Sequence, residues 1–154
     1  MLKKIKEHIS NLGNEPSEKA VHEQKETEII NNACAALLIE TALADKVFNE
    51  EELASMKQTL NKVYKVDEKD IEELINESKR KVSESTSLYE YTRLINDLCD
   101  YEDKIRLISN LWSIAFADQH LDKYEEYLIR KISDLLHVSH KDFIQQKLLV
   151  KEAL

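Results

Sequence analysis

The chain of 154 residues contains only one glycine and one proline, which stand close together as Gly13 and Pro16. Short β-hairpins usually need glycine or Asn-Gly at their turns, so this scarcity argues against a sheet. Aromatic residues make up 6% of the chain, and aliphatic side chains must therefore fill most of the core. Because Glu, Lys, Leu, Ala and Ile are abundant, the composition predicts an all-α fold with short polar connections.

The chain also lacks an excess of basic residues. Its 22 Lys and Arg are outnumbered by 30 Asp and Glu, which gives a formal net charge of −8. Binding to a phosphate backbone requires a basic face, so we expect no nucleic-acid partner. The sequence contains no Ser/His/Asp arrangement, phosphate-binding loop or dinucleotide motif. We therefore expect no enzymatic activity, no catalytic residues and no bound organic cofactor.

Cysteines are few, and long apolar runs are missing. Cys34 and Cys99 lie far apart, each within an apolar helical pattern, which predicts two buried free thiols in a reducing cytosol. The first residues lack the apolar core of a signal peptide. The longest apolar stretch, residues 29–44, is shorter than the about 20 residues that a membrane span needs. These features predict a cytoplasmic protein.

The N-terminal segment is separate from the rest of the chain in its composition. Leu2, Ile5, Ile9 and Leu12 share one helical face, and the linker that follows holds the only Gly and Pro. Residues 1–16 are thus predicted to be a short amphipathic helix with its linker, and residues 17–154 one helical domain. This helix can dock on the core, bind a partner protein or contact a membrane surface; its short length favours docking on the core.

The helical domain shows an internal repeat. When the chain is aligned with itself, Asp45 matches Asp118 and Glu52 matches Glu125, and after a single deletion Val66 matches Val138. The two similar halves cover about residues 27–82 and 100–154. Each half begins with a helix that is apolar nearly all round, which in residues 29–44 predicts a buried central helix. We therefore expect a single bundle of about seven to eight helices with a pseudo-two-fold repeat.

A short acidic loop follows the central helix of each half. Asp45 and Asp118 close their helices, where a negative charge faces the negative end of the helix dipole at a cost of about 0.3–1 kcal/mol. One interpretation is structural: Asn49 and Asp122 cap the following helices. The other is a site for Ca²⁺ or Mg²⁺, which prefer oxygen ligands. The six candidate metal ligands are Asp45, Asn49 and Glu52 in the first loop and Asp118, Asp122 and Glu125 in the second.

Two segments carry a family resemblance. The more specific one reads LWSIAFADQHLDKYEE from Leu111 to Glu126 and continues as IRKISDLLHVSH from Ile129 to His140. The other is the first loop, with Ala44-Asp45, Phe48-Asn49 and Glu52. On these residues the chain resembles the tellurite-resistance TerB-like family over nearly its whole length.

The resemblance implies an all-helical TerB-like fold, a role in bacterial stress or tellurite resistance, and acidic residues that bind metal. The chain departs from the family at one point: members commonly have Gly after the loop Asp, where this chain has Lys46 and Gln119. Lys46 adds a positive charge beside the first loop and weakens the metal hypothesis there. Two functions are thus expected as alternatives: a divalent-cation-binding module, or a protein-interaction scaffold in which the loops are only helix caps.

Overall fold

The computed structural model describes residues 18–43, 50–80, 85–117 and 121–154, except for the side chains of residues 52, 78–80 and 85–87. Within these ranges it contains seven helices and no strand, which confirms the predicted all-α class. The predicted N-terminal helix and linker lie outside the described residues. The helices are α1 (Glu18–Ala42), α2 (Glu50–Lys62), α3 (Glu68–Arg80), α4 (Ser85–Leu98), α5 (Tyr101–Ala115), α6 (Lys123–Leu135) and α7 (His140–Glu152).

Helices α1 and α5 form the centre of the bundle. α1 packs against α2, α3, α4, α5 and α6, and α5 also packs against α2, α6 and α7. In α1 the stretch from Ala33 to Ile39 is wholly buried, and its alanines let the neighbouring helices approach closely. In α5 the single tryptophan, Trp112, is among the largest fully buried side chains.

Burial in α1 begins later than the apolar pattern predicts. The expectation that the buried stretch starts near Ile29 is wrong, because residues 18–32 are all half-buried or exposed and the first buried residue is Ala33. The reason is length. α1 has 25 residues, whereas its neighbours have 13 to 15, so its first half extends beyond them at a rise of about 1.5 Å per residue.

Helix boundaries recur at the offsets that the sequence repeat uses. The ends of α1 and α5, Ala42 and Ala115, are equivalent positions of the two halves, and so are the first residues of α2 and α6, Glu50 and Lys123. After the single deletion, the starts of α3 and α7 are equivalent too. Each half therefore consists of a central helix and two helices of 13 residues. α4 connects the halves and packs on α1 and α6.

The turns after α2 and α6 are also equivalent. Lys65 and His137, which occupy the same position in the two halves, have φ angles of 55° and 58°. After α6 the His137 N–H donates to Asp134 O at 3.1 Å and the Val138 N–H to Ser133 O at 3.0 Å, the pattern of a Schellman motif. Glycine is the usual residue at this left-handed position. The chain uses Lys and His there, at a cost of about 1 kcal/mol each.

Two helix starts in the second half are capped by side chains. The Asp100 carboxylate accepts from the Asp103 N–H at 2.8 Å, and Asp103 accepts from the Asp100 N–H at 3.3 Å, forming a capping box at α5. At α7 the Ser139 hydroxyl accepts from the Asp142 N–H at 3.2 Å. Tyr101 joins the two starts, since its hydroxyl donates to Asp142 and accepts from the Ser139 N–H.

Candidate functional site

The structure describes only part of the predicted cation sites. Three of the six predicted ligands lie outside the described residues, namely Asp45, Asn49 and Asp118. Glu52 is in the first turn of α2, and its side chain also lies outside what is described. Asp122 and Glu125, which belong to the second acidic loop, are described in full. They show how α6 begins and where its acidic side chains point.

Asp122 caps helix α6, as the capping interpretation predicts. It has an extended backbone conformation with φ −78° and ψ 140°, and its Oδ1 accepts from the Tyr124 N–H at 2.7 Å. This hydrogen bond satisfies one of the amide groups at the helix start. A carboxylate has two oxygens with about four lone-pair sites, so capping uses only part of its capacity to accept or coordinate.

Glu125 does not behave as an ordinary capping residue. It is the third residue of α6, the position at which a capping-box Glu reaches back towards the cap at the surface. Its side chain is instead 0% exposed, and it is the only charged residue that is buried among those whose side chains the structure describes. Asp103 and Asp142 occupy the same position in α5 and α7, and neither of them is buried. Capping alone therefore does not account for the inward orientation of Glu125.

The buried position of Glu125 carries an energetic consequence. Transfer of a carboxylate from water to the interior costs on the order of several kcal/mol unless positive charge or hydrogen-bond donors compensate. The N-terminus of α6 supplies part of this compensation through its dipole, typically about 0.3–1 kcal/mol.

A cluster of charged and aromatic residues lies beside Glu125. Its neighbour Glu126 has Oε1 3.0 Å from the Lys147 ammonium and 3.9 Å from Arg130 Nη2. The Lys147 ammonium also lies 5.4 Å from the centre of the Trp112 ring, a cation–π geometry. Trp112 packs against Phe143, with 5.1 Å between ring centres. The cluster joins α5, α6 and α7 beside the loop.

This cluster is a feature of the second half alone. When the halves are aligned at the repeat offsets, the four main residues of the cluster correspond to aliphatic side chains in the first half. The two halves therefore differ in the residues near their acidic loops. The first-half residues are Ile39 for Trp112, Leu53 for Glu126, Ile71 for Phe143 and Ile75 for Lys147.

Sequence reasoning did not identify this cluster as part of the site. Glu126 and Lys147 are 21 residues apart and belong to different helices, so no local spacing connects them. One signal was present: Phe143 and Lys147 are one helical turn apart in α7 and hence on the same face. Their repeat partners are apolar, which marks Lys147 as a charge at a position that otherwise faces the core.

Within the part of the chain that the structure describes, no group of three or more His, Cys, Asp or Glu side chains forms a metal site. Between residues 18 and 154, outside the gaps given above, no helix combines the length and apolar character needed to cross a bilayer.

The two cysteines are free thiols, as predicted, but only Cys34 is buried. The expectation that Cys99 is buried too is wrong: it lies just after α4 ends and is half-buried. Burial raises the pKa of the Cys34 thiol well above its ordinary value, and burial raises the pKa of Cys99 to about 11. Neither thiol is activated as a nucleophile, because the thiolate is the reactive form.

Comparison with known proteins gives one family. The family model described as Tellurite resistance protein TerB matches residues 31–148. The match begins within α1 and ends within α7, and so includes both acidic loops. No curated protein and no solved structure matches the chain.

Proposed function

The chain belongs to the TerB family of tellurite resistance proteins, and on that premise we propose that it is a cytoplasmic, non-enzymatic module that binds a divalent cation. We place the main site at the second acidic loop and name Ca²⁺ or Mg²⁺ as its ligand. The observation that carries the proposal is the complete burial of Glu125 at the base of that loop. The proposed context is bacterial stress or tellurite resistance.

Three carboxylates would hold the cation. Asp122 lies at the cap of α6, Glu125 lies within its first turn, and Asp118 precedes them in the same loop of the chain. All three supply the oxygen ligands that Ca²⁺ and Mg²⁺ prefer, and Ca²⁺ takes about six to eight of them. Water must therefore complete the coordination shell, and we expect weak rather than tight binding.

The first loop is proposed as a second and weaker site. Asp45, Asn49 and Glu52 have the same spacing as the ligands of the second loop. Asn49 is neutral where the second loop has Asp122, and Lys46 adds a positive charge. Both differences weaken the attraction for a cation, because that attraction decreases as the site loses net negative charge.

Thermal denaturation during cation titration tests the proposal. A ligand that binds only the folded state raises the melting temperature, and the rise grows with ligand concentration. We expect such a rise with Ca²⁺ or Mg²⁺ in the wild type and a much smaller one in Asp118→Asn. Asp142→Asn is the matched control, since it removes a carboxylate from the start of α7 and should keep the full rise.

Two results would contradict the proposal. One is the absence of any shift with Ca²⁺, Mg²⁺, Mn²⁺ or Zn²⁺. The other is an equal shift in the wild type and Asp118→Asn, which would place the binding elsewhere on the protein.

A protein-interaction scaffold is the second candidate function, and one observation favours it. Helix α7 and the residues after it expose three leucines, Leu148 and Leu149 at 51% each and Leu154 at 62%. Large apolar side chains that are exposed close together in the chain supply area that a partner protein can cover. In this alternative the acidic loops are only helix caps, and the segment Met1 to Asn14 contributes to partner binding.

The scaffold function has its own test. Pull-down with the full chain should recover a partner that is lost on deletion of Met1 to Asn14 or in the double variant Leu148→Ser, Leu149→Ser. A partner that both variants retain would contradict the scaffold function. Cation-dependent stabilisation should be unaffected by the double leucine variant, so the two functions are tested separately.

A further inference from the structure

Helix α7 carries exposed apolar side chains away from its contact with the bundle. Among the described helices it packs mainly against α5, where Phe143 contacts Trp112. Away from this contact, Leu148 and Leu149 are each 51% exposed. We propose that this outer face of α7 packs against the same face of a second copy of the chain, with the two α7 helices antiparallel. The proposal does not depend on cation binding, and it assigns an occupant to the leucine surface of the scaffold alternative.

The exposed leucines are specific to the second half of the repeat. Helix α3 is the equivalent of α7 in the first half, and the repeat offset aligns Asn76 with Leu148 and Glu77 with Leu149. Both α3 side chains are exposed, and polar residues are the usual composition of a solvated helix face. Helix α7 has leucines where its equivalent in the same bundle has polar residues, which indicates a surface that a partner covers.

The charges on the outer face of α7 identify a second copy as that partner. Lys141 is seven residues before Leu148 and Glu152 is four after it, so the three share one helical face. Lys141 lies in the first turn of α7 and Glu152 is its last residue. Each charge is therefore at the end of the helix dipole that disfavours it. In an antiparallel pair Lys141 lies at the C-terminus of the other α7 and faces Glu152 there, so both placements become favourable.

The register of the antiparallel pair follows from these charges. When Lys141 of each copy faces Glu152 of the other, the two-fold axis passes midway between them along the helix. At a rise of about 1.5 Å per residue, the two Leu148 side chains are then offset by about 4.5 Å along the helices and can contact each other. Leu149 faces Ile144 of the other copy, which is half-buried. Because the charges at its two ends cancel, this face lets two copies approach although each chain carries a net charge of −8.

The size of the contact sets the strength of the dimer. A stable interface buries about 1,200–2,000 Å² in total, more than one helix of 13 residues from each copy supplies. Exposed ion pairs add little affinity, so the leucines provide most of it and the charges select the orientation. We therefore expect a weak dimer with a Kd on the order of 100 µM.

Sedimentation equilibrium of the full chain from about 10 µM to about 1 mM tests the proposal. The mean mass should rise with concentration from 18.0 kDa towards twice that value. The double variant Leu148→Ser, Leu149→Ser should weaken the dimer at least about tenfold. Asn76→Ser with Glu77→Ser, at the equivalent positions of α3, is the matched control and should associate as the wild type does. Circular dichroism verifies the fold of each variant.

Charge reversal tests the orientation of the two helices. Lys141→Glu and Glu152→Lys each place like charges opposite one another in the antiparallel dimer, and each should weaken it about threefold to tenfold. The double reversal restores opposite charges and should return to within about twofold of the wild type. Each single reversal also suits the dipole of α7 better than the native residue does, so a loss of association does not reflect a loss of the helix.

The outcomes separate this proposal from the proposed function. A mass that stays at the monomer value over the whole range overturns the proposal and leaves both the cation-binding and the scaffold functions to their own tests. A dimer that the double leucine variant leaves unchanged places the contact on another surface and also overturns it. Failure of the double reversal to restore the association that the single reversals weaken overturns the antiparallel arrangement.

Discussion

At the scale of single residues, Asp142 shows how a surface carboxylate joins two helices. The hydrogen bond that it accepts from Tyr101 and the one from Ser139 hold the pKa of Asp142 below its ordinary value. A carboxyl group whose pKa is lowered by folding stabilises the protein above its unfolded pKa of about 3.9. That contribution is lost as the pH falls through the lower pKa of the folded state.

Replacement of Tyr101 by Phe removes the larger of these two causes. We expect Tyr101→Phe to raise the pKa of Asp142 and to lower the melting temperature at pH 7. The difference from the wild type should narrow as the pH falls below the folded pKa, because both proteins then have a protonated Asp142. The part that remains reflects the lost hydrogen bond from the Ser139 N–H to the Tyr101 hydroxyl. Melting curves from pH 2 to pH 7 measure it, with the exposed Tyr89→Phe as control. A difference that stays constant with pH would contradict this account.

The cysteines give a second prediction at this scale. Burial raises the pKa of both thiols, that of Cys99 to about 11, so both are almost wholly protonated at pH 8. We expect slow alkylation by iodoacetamide, with the half-buried Cys99 modified first and Cys34 only when the protein opens. Mass spectrometry of Cys34→Ser and Cys99→Ser follows each thiol alone. Equal rates at the two sites would contradict the burial that the structure assigns.

Local spacing accounts for the helix caps. The caps Asp100, Asp122 and Ser139 act on amide groups within the first turn of the helix that each one begins, and such contacts follow from sequence order. The burial of Glu125 does not, because Asp-x-x-Glu at α6 looks like the capping patterns at α5 and α7. Packing between helices decides which of these acidic side chains turns inward.

At the scale of helices and turns, the ends of α2 and α6 store strain. His137 lies at the left-handed position after α6 with φ 58°, a conformation that glycine adopts without penalty. We expect His137→Gly to stabilise the protein by about 0.5–1 kcal/mol, after allowing for the greater freedom of glycine in the unfolded chain. Urea denaturation measures the change.

His140 provides the matched control for His137. It is the first residue of α7, where glycine is unfavourable, so His140→Gly should destabilise by up to about 1 kcal/mol. Destabilisation by both substitutions would show that the strain at His137 is absent in solution.

Helix positions were easier to predict than the depth of burial. The apolar pattern and the capping residues predict where α5, α6 and α7 begin, because both signals are local. The late start of burial in α1, at Ala33, follows from the shorter length of the neighbouring helices. Such differences in length become evident only when the helices are packed together.

At the scale of the whole molecule, the two halves share helix boundaries but differ at their acidic loops. The second half adds Trp112, Glu126 and Lys147 beside Glu125, where the first half is aliphatic. The ion pair connects residues 21 positions apart, and no periodicity predicts it. We expect the second loop to dominate cation binding, so that Asp118→Asn reduces binding much more than Asp45→Asn.

We propose that the buried carboxylate of Glu125 binds a divalent cation, and calorimetric titration of Glu125→Gln with Ca²⁺ and Mg²⁺ tests this most directly. Glutamine keeps the size of the side chain and removes its charge. Asp103→Asn, at the same position of α5, is the control. Loss of most of the wild-type binding in Glu125→Gln, with full binding in Asp103→Asn, is the predicted result. Equal binding by Glu125→Gln and the wild type would contradict the account.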